Sequence, residues 1–170
     1  TPLYSSAASD VYKRQVALNL AIELRQHLRS SGCRVFISDM KVRLDQRNRF
    51  FYPDLIVTCD RRDPLSDRSA DRDSALYKRF PCLVVEVLSD STEAFDRGDK
   101  FADYRTLDSL QEYVLISVKQ PRVEVFRRNP EGLWVLYTYE GDRAEFDQVE
   151  FELASVALSL IHISEPTRPY

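Results

Sequence analysis

The sequence predicts a mixed α/β (α+β) domain in which a central β-sheet is flanked by helices. Three observations lead to this fold class: a helical pattern opens the interpretable part of the chain, several short strand-like runs follow, and a second helical pattern separates two groups of strands. A chain of 170 residues is long enough to build one domain with a substantial core. Helices packed on a sheet allow both kinds of element to bury their apolar faces.

The first half of the chain is predicted to form one helix and three strands. In residues 16–29 leucine recurs every four residues on one face, which predicts an amphipathic helix. Short strands are predicted at residues 33–38 and 40–44, and a longer one at residues 50–59. Pro53 cannot donate to a ladder, so we expect it at the start or on the edge of the third strand.

The second half begins with a polar segment. Residues 60–80 are rich in Asp, Arg and Ser, which favours a solvated, mobile loop. A strand at 82–88 and a helix at 94–107, continuous through Gly98, are expected to follow. Three further strands, joined by two hairpin-like turns, are predicted at residues 112–118, 122–128 and 133–139.

Composition and charge restrict the class of protein. A hydrophobic fraction of 44% and a charged fraction of 30% are ordinary for a soluble globular domain. The net charge of -3 gives no general attraction to nucleic acid, so such a partner must meet a local basic patch. No apolar run approaches the roughly 20 residues that a membrane span needs, and no secretory signal is visible. We therefore expect a cytoplasmic protein with no membrane partner.

The three cysteines are widely spaced and include no Cys-x-x-Cys pair. Cys33, Cys59 and Cys82 each fall in or beside a predicted strand. This pattern indicates buried, reduced thiols, which suit the cytosol, and it gives no zinc site.

The two ends of the chain differ from the rest. Residues 1–15 and 161–170 resemble translated adapter read-through at the edges of metagenomic reading frames, and neither continues the pattern beside it. We expect both ends to be non-native and residues 16–160 to form a single domain.

An acidic residue interrupts the most apolar strand. Both faces of the strand at 82–88 are apolar, which is typical of a central strand, and alternation places Glu86 on the face of Val84 and Leu88. Burial of an unpaired carboxylate is costly, so Glu86 needs a partner. Asp54 lies on a second interior-type strand, and the two acids could converge if these strands are neighbours. Two close carboxylates repel unless a cation lies between them, and Mg²⁺ is the natural mediator.

The helix after this strand carries a polar stripe. Asp96, Lys100 and Tyr104 recur every four residues and therefore lie on one side of the helix. Spacing alone favours a surface ion pair between Asp96 and Lys100. The alternative is that Lys100 reaches the acids, where it would orient a water nucleophile or stabilise charge on a phosphate.

Four segments together resemble a known family: "YPD" at 52–54, "VVEVLSDST" at 84–92, "DRGDKFADYR" at 96–105 and "SLQEYVLIS" at 109–117. The combination is similar to the Uma-type family of predicted restriction endonucleases, within the PD-(D/E)XK nuclease superfamily. The resemblance runs from about Val16 to Leu160. It implies a restriction-endonuclease-like core, with a mixed sheet flanked by helices, and metal-dependent hydrolysis of phosphodiester bonds.

The resemblance also implies a metal site. Asp54 matches the aspartate of the Pro-Asp pair and Glu86 the second acid, and both would bind Mg²⁺, with Mn²⁺ as a substitute. The backbone carbonyl of Val87 would be a further ligand.

The lysine departs from the superfamily pattern. The usual lysine lies two residues after the second acid, where this chain has Leu88. The resemblance points instead to Lys100 on the following helix as the third catalytic residue beside the two acids. Asp96 and Tyr104 also match the family pattern, as supports that position Lys100.

The resemblance implies a Mg²⁺-dependent endonuclease that acts on nucleic acid, with DNA as the expected substrate and a homodimer as one compatible assembly. Two alternatives are a catalytically inactive nuclease-fold domain that binds nucleic acid or protein, and a structural domain in which Glu86 merely pairs with Lys100. Because the adapter-like block replaces the family's usual N-terminal segment, we expect the chain to be a metagenomic fragment.

Basic residues are available for phosphate contacts, but they do not alternate with aromatic residues along the chain, so no single-strand platform is predicted. The candidates are Arg43, Arg47, Arg49, Lys78 and Arg79.

Overall fold

The computed structural model describes residues 6–63, 76–117, 119–141, 148–156 and 158–164. The helices are α1 (Ser6–His27), α2 (Glu93–Arg97) and α3 (Asp99–Tyr104). The strands are β1 (Arg34–Ile37), β2 (Lys41–Leu44), β3 (Arg49–Phe51), β4 (Leu55–Thr58), β5 (Tyr77–Lys78), β6 (Pro81–Leu88), β7 (Glu112–Ser117), β8 (Arg122–Arg128), β9 (Trp134–Glu140), β10 (Gln148–Leu153) and β11 (Leu158–Ser164).

The largest sheet has six strands in the order β1-β4-β6-β7-β8-β9. Only the β6–β7 pair is parallel among its ladders, and the other neighbours are antiparallel. A parallel pair needs a crossover connection, which α2 and α3 provide between β6 and β7. The predicted mixed sheet with flanking helices is confirmed.

Strand β6 is buried on both faces, as its sequence predicts. Leu83, Val85 and Val87 belong to the apolar cluster that includes Leu20 and Leu24 of α1. Val84 and Leu88 belong to a second cluster, which includes Phe101 and Tyr104 of α3 and Ile56 of β4. The sheet therefore separates two cores, and Glu86 belongs by alternation to the side of α3.

A small sheet, ordered β3-β2-β5, adjoins the second core. Val42 and Leu44 of β2 are fully buried there. The single strand predicted at residues 50–59 is therefore wrong, because β3 belongs to the small sheet and β4 to the large one. The break falls at Tyr52–Asp54, where Pro53 cannot donate to a ladder, and it places Asp54 at the entry to β4.

The helices also differ from the predicted ones. Helix α1 starts at Ser6, within the segment set aside as adapter-like. The helix predicted at 94–107 is divided at Gly98, whose ψ of -100° leaves helical geometry. A Cβ at this glycine would lie 3.1 Å from the carbonyl oxygen of Ala94. Within the described ranges, no helix is both long and apolar enough to cross a membrane.

The predicted solvated loop at 60–80 is only partly described, since residues 64–75 lie outside the described residues. Its two ends are more ordered than expected. Asp63 is buried, where it accepts hydrogen bonds from the Thr58 hydroxyl and from the N–H groups of Arg79 and Phe80, each at 2.9 Å. Lys78 is buried as well, with its ammonium 5.0 Å from the ring centre of Phe36, so its prediction as a surface phosphate contact is wrong.

The prediction of three buried, reduced cysteines is wrong. Cys33 and Cys59 form a disulfide, Cys59 is exposed, and Cys82 is the free cysteine, half-buried with its Sγ 3.6 Å from that of Cys59. The cause is strand pairing: β1 and β4 pair Arg34 with Thr58, so the next residues outward are Cys33 and Cys59. A separation of 26 residues hides this neighbourhood in the sequence. Reduced cysteines were one argument for a cytoplasmic location, and the disulfide removes that argument. The location stays a prediction.

Candidate active site

The two predicted acids come from neighbouring strands. Strands β4 and β6 are antiparallel and pair Leu55 with Val85, so the same register continued by one residue places Asp54 opposite Glu86. The Asp54 Oδ2 atom accepts a hydrogen bond of 2.7 Å from the N–H of Val87. This bond fixes the Asp54 carboxylate over the end of β6. The proximity that the sequence analysis required of the two strands is therefore present.

Glu86 lies in a buried chain of charges. Its Oε1 atom is 2.7 Å from Lys100 Nζ, which is 3.0 Å from Asp96 Oδ1. Glu86 is 3% exposed and Lys100 8%, and Asp96 is buried with them. The pair of Asp96 and Lys100 is thus not the surface ion pair that spacing alone favoured. The division of the helix at Gly98 still leaves these side chains in contact across α2 and α3.

Burial and neighbouring opposite charges shift the pKa values of Glu86 and Lys100 in opposite directions. Burial raises the pKa of Glu86 to about 8, although the Lys100 ammonium opposes the change, and the negative charges of Asp96 and Asp54 add to it. For Lys100, burial tends to lower the pKa, but the two carboxylates that it contacts outweigh burial and raise it. Lys100 is accordingly a permanent cation inside the protein.

Two tyrosines fix the chain of charges in place. The Tyr113 hydroxyl donates a hydrogen bond of 2.8 Å to the backbone carbonyl of Asp96, which ties the end of α2 to β7. Tyr104 is fully buried, with its ring 5.5 Å from that of Tyr113 and 5.3 Å from that of Phe51. Burial and the nearby charge of Glu86 raise the pKa of Tyr104 well above its ordinary value.

Tyr113 was not identified from the sequence, because its strand looks purely structural. The signal available was a tyrosine in an apolar run, whose hydroxyl needs a partner when it is buried. Arg97 was missed too: it contacts Glu124 of β8 at 2.5 Å and Glu93 at 2.9 Å, which holds α2 against the sheet.

Lys13 reaches the same site from α1. Its Nζ atom lies 3.9 Å from Asp54 Oδ2, and both side chains are partly buried. Sequence reasoning missed this residue because residues 1–15 were set aside. The Asp54 carboxylate therefore already lies near one cation, the Lys13 ammonium, and a bound metal ion would be an additional one.

The donor set suits a hard divalent ion. Carboxylate oxygens are the ligands that Mg²⁺ and Mn²⁺ prefer. Glu86 Oε1 lies 2.7 Å from the Lys100 ammonium, so a divalent ion would share this carboxylate with the lysine. No group of three or more His, Cys, Asp or Glu side chains is arranged to hold a metal within the described residues. The predicted ligand set contains only two such side chains, those of Asp54 and Glu86, together with the backbone carbonyl of Val87. This set stays a prediction.

The mixed sheet and its crossover helices define a nuclease-like fold. Its fold is similar to that of a crystallised protein from Anabaena variabilis ATCC 29413, described as a "putative nuclease belonging to DUF820". The TM-score is 0.65 at 13% identity, over 86% of this chain and 74% of the other. The predicted restriction-endonuclease-like architecture is confirmed at the level of the fold.

The chain belongs to the Uma2 family, whose model carries the description "Putative restriction endonuclease" and matches residues 3–159. Two proteins of Synechocystis sp. (strain ATCC 27184 / PCC 6803 / Kazusa) are similar to it. The protein slr1290 is 33% identical over 153 residues, which cover 89% of this chain and 76% of the relative. The protein sll1609 is 30% identical over 141 residues, which cover 83% and 76%. The resemblance found in the four sequence segments is confirmed.

Proposed function

We propose that this Uma2 protein is a Mg²⁺-dependent endonuclease that hydrolyses phosphodiester bonds, with DNA as its substrate. The observation that carries the proposal is the buried pair of Glu86 and Lys100, which lies beside a second acid on the neighbouring strand. A protein gains little stability from placing a carboxylate of raised pKa in a core, so such groups are candidates for catalysis.

Asp54 and Glu86 would hold the ion, with the backbone carbonyl of Val87 as a further ligand. When bound, Mg²⁺ would polarise the phosphate and lower the pKa of an attacking water. The hydrogen bond from the Val87 N–H keeps the Asp54 carboxylate in one orientation.

Lys100 would supply the fixed positive charge. Since its pKa is raised, it stays protonated at neutral pH and is unsuited to act as a base. It can orient the nucleophilic water or stabilise the negative charge that develops on the phosphate. Asp96 positions Lys100, and Tyr113 positions Asp96 through its backbone carbonyl.

One observation favours a second candidate, a catalytically inactive nuclease-fold domain that binds nucleic acid. The Lys13 ammonium lies 3.9 Å from Asp54 and partly neutralises the carboxylate that a metal would use. In that case the chain would bind DNA without cleaving it.

A cleavage assay separates the two candidates. Supercoiled plasmid and circular single-stranded DNA would be incubated with the wild-type chain in Mg²⁺ or in EDTA, beside Asp54→Asn and Asp108→Asn. Asp108 is exposed and lies near the opposite end of β6, so Asp108→Asn is matched in charge but distant from the site.

The expected result is Mg²⁺-dependent cleavage that Asp54→Asn reduces by at least about a hundredfold, because several kcal/mol of transition-state stabilisation are lost. Asp108→Asn should match the wild type. DNA binding without cleavage would favour the inactive candidate, and cleavage that persists in EDTA would refute metal dependence.

A further inference from the structure

The small sheet presents a face in which cations and aromatic rings alternate. The ladders of β2 pair Arg43 with Phe50 of β3 and Lys41 with Tyr77 of β5. Because side chains alternate along a strand, these four point away from the core that Val42 occupies. We call the set formed by these four residues with Tyr52 and Arg79 the outer face.

Two rings of the outer face are exposed, that of Tyr77 is half-buried, and all three lie under cations. Phe50 is 45% exposed and Tyr52 58%. The Lys41 ammonium lies 5.9 Å from the ring centre of Phe50 and 5.6 Å from that of Tyr52. The Arg43 guanidinium lies 5.6 Å from Phe50 and 5.3 Å from Tyr77, whose rings meet edge to face. Such distances match cation–π contact, and the exposed fractions of Phe50 and Tyr52 leave ring surface open to a further partner.

The outer face keeps an excess of positive charge. Arg43 and Arg79 share one carboxylate, that of Asp45, at 2.7 and 3.5 Å. Asp103 at the adjoining edge is likewise contacted by two arginines, Arg47 at 3.5 Å and Arg49 at 2.7 Å. Among the described residues, each of these carboxylates is thus shared by two guanidinium groups and can balance only one of their charges, whereas the whole chain has a net charge of -3. The charge of the outer face therefore favours an anionic partner, whereas the net charge of the whole protein does not.

The same strand connects the outer face to the candidate active site. Phe51 points to the other side of β3 from Phe50, and its ring lies 5.3 Å from Tyr104 and 5.9 Å from the Lys100 ammonium. After Phe51 the chain passes through Tyr52 and Pro53 directly to Asp54. The outer face therefore includes a residue, Tyr52, that lies two positions from Asp54 in the chain.

We propose that the outer face binds single-stranded nucleic acid, with unpaired bases stacked on Phe50, Tyr52 and Tyr77 and backbone phosphates bound by Lys41, Arg43 and Arg79. Every unpaired base offers a π-face, whereas a duplex encloses its faces in its own stack. The occupant is therefore a single strand, and the substrate of the proposed nuclease is DNA with a single-stranded segment. That assignment of substrate rests on the proposed function, whereas the binding surface does not.

The sequence analysis predicted no single-strand platform, because basic and aromatic residues do not alternate along the chain; in the folded small sheet they lie beside each other. The basic and aromatic residues belong to three strands, and β5 is separated from β3 by the whole of β4 and the segment after it. Only the register of the ladders interleaves them.

The test is binding without cleavage. Fluorescence anisotropy would be measured in EDTA with fluorescein-labelled oligo(dT) and with a labelled duplex hairpin, using the full chain and the variants Phe50→Ala, Tyr52→Ala, Arg43→Gln and Phe50→Trp. Tyr137→Ala is the matched control, because Tyr137 is a 40% exposed ring on β9 that also lies under an arginine, Arg127, at 4.8 Å.

Phe50→Ala and Tyr52→Ala should each weaken oligo(dT) binding about tenfold, with Tyr137→Ala unchanged. Phe50→Trp should retain the affinity, and the new indole should be quenched by the oligonucleotide. Arg43→Gln should weaken binding and reduce its salt dependence. Circular dichroism checks that each variant is folded.

The inference is overturned if both alanine variants bind oligo(dT) like Tyr137→Ala, or if the duplex binds more tightly than the single strand and ignores these substitutions. Because EDTA suppresses cleavage, the outcome does not depend on catalysis. Loss of cleavage in Asp54→Asn with unchanged oligo(dT) binding would support both proposals separately.

Discussion

Two glutamates are buried in neighbouring strands of the same sheet, and they are paired in different ways. Glu112 of β7 is fully buried, and its carboxylate contacts Arg127 Nε at 2.7 Å. It also accepts hydrogen bonds from the N–H groups of Ala154 at 3.0 Å and Ser155 at 2.9 Å, and from the Ser155 hydroxyl. Within the described residues, Glu86 of β6 contacts one cation, the Lys100 ammonium, which lies 2.7 Å from Oε1.

The difference separates a structural carboxylate from a candidate catalytic one. Glu112 joins β7, β8 and the segment after β10, and its oxygens are saturated by donors, so it has no capacity for a ligand. Glu86 shares its one cation with Asp96, and burial raises its pKa. Burial alone would have selected both residues, and the count of donors distinguishes them.

The largest expected effect on stability is that of Glu112→Ala. This change leaves the Arg127 guanidinium and the backbone N–H groups of Ala154 and Ser155 without their acceptor, so the free energy of unfolding should fall by roughly 3 kcal/mol. Urea unfolding followed by circular dichroism measures it, with Glu131→Ala as an exposed control. If Glu112→Ala were as stable as Glu131→Ala, the structural role of Glu112 would be refuted.

Glu86→Gln should have a smaller effect, of opposite sign and dependent on pH. The pKa of Glu86 is raised from 4.5 to about 8 in the folded protein, so the folded state binds the proton more tightly than the unfolded state. The wild type should therefore lose stability as pH rises from 4.5 to 8, and Gln removes this loss.

The expected gain for Glu86→Gln at pH 9 is on the order of 1 kcal/mol, because loss of the ion pair with Lys100 offsets part of the benefit. The gain should disappear near pH 4, where the wild-type carboxyl is protonated in both states. Thermal unfolding across this range checks the sign. A variant whose stability relative to the wild type falls as pH rises would contradict the assignment of a raised pKa.

Lys13→Ala should produce the smallest change. The ion pair with Asp54 is long and partly exposed, so its removal should alter the free energy of unfolding by no more than about 1 kcal/mol. Affinity for Mn²⁺ should rise about threefold, because Asp54 then faces no competing ammonium. Unchanged or weaker Mn²⁺ binding would show that Lys13 does not compete for the carboxylate.

Much of the fold follows from local pattern, as β6 illustrates. Its two apolar faces predict a central strand, and alternation correctly separates Leu83, Val85 and Val87 from Val84 and Leu88. The boundary between β3 and β4 was missed, since both strands are apolar and only pairing reveals that they belong to different sheets. The disulfide of Cys33 and Cys59 was missed for the same reason.

The candidate site was partly predictable. A glutamate in a buried strand and a stripe of Asp96, Lys100 and Tyr104 are local signals, and the structure brings Glu86, Lys100 and Asp96 into contact. Tyr113 lies on β7 and Lys13 on α1. Both are far in sequence from the residues that they contact, so helical or strand periodicity does not reveal the contacts. The aromatic and basic outer face likewise exists only after β2, β3 and β5 have paired.

The most direct test of the central claim, that Asp54 and Glu86 jointly bind a divalent ion beside Lys100, is calorimetric titration with Mn²⁺. The wild type and Asp108→Asn should give saturable heat, and Asp54→Asn and Glu86→Gln should give none, because each lacks one of the two carboxylates. Absence of saturable heat in the wild type, or saturable heat that survives both substitutions, would contradict the claim.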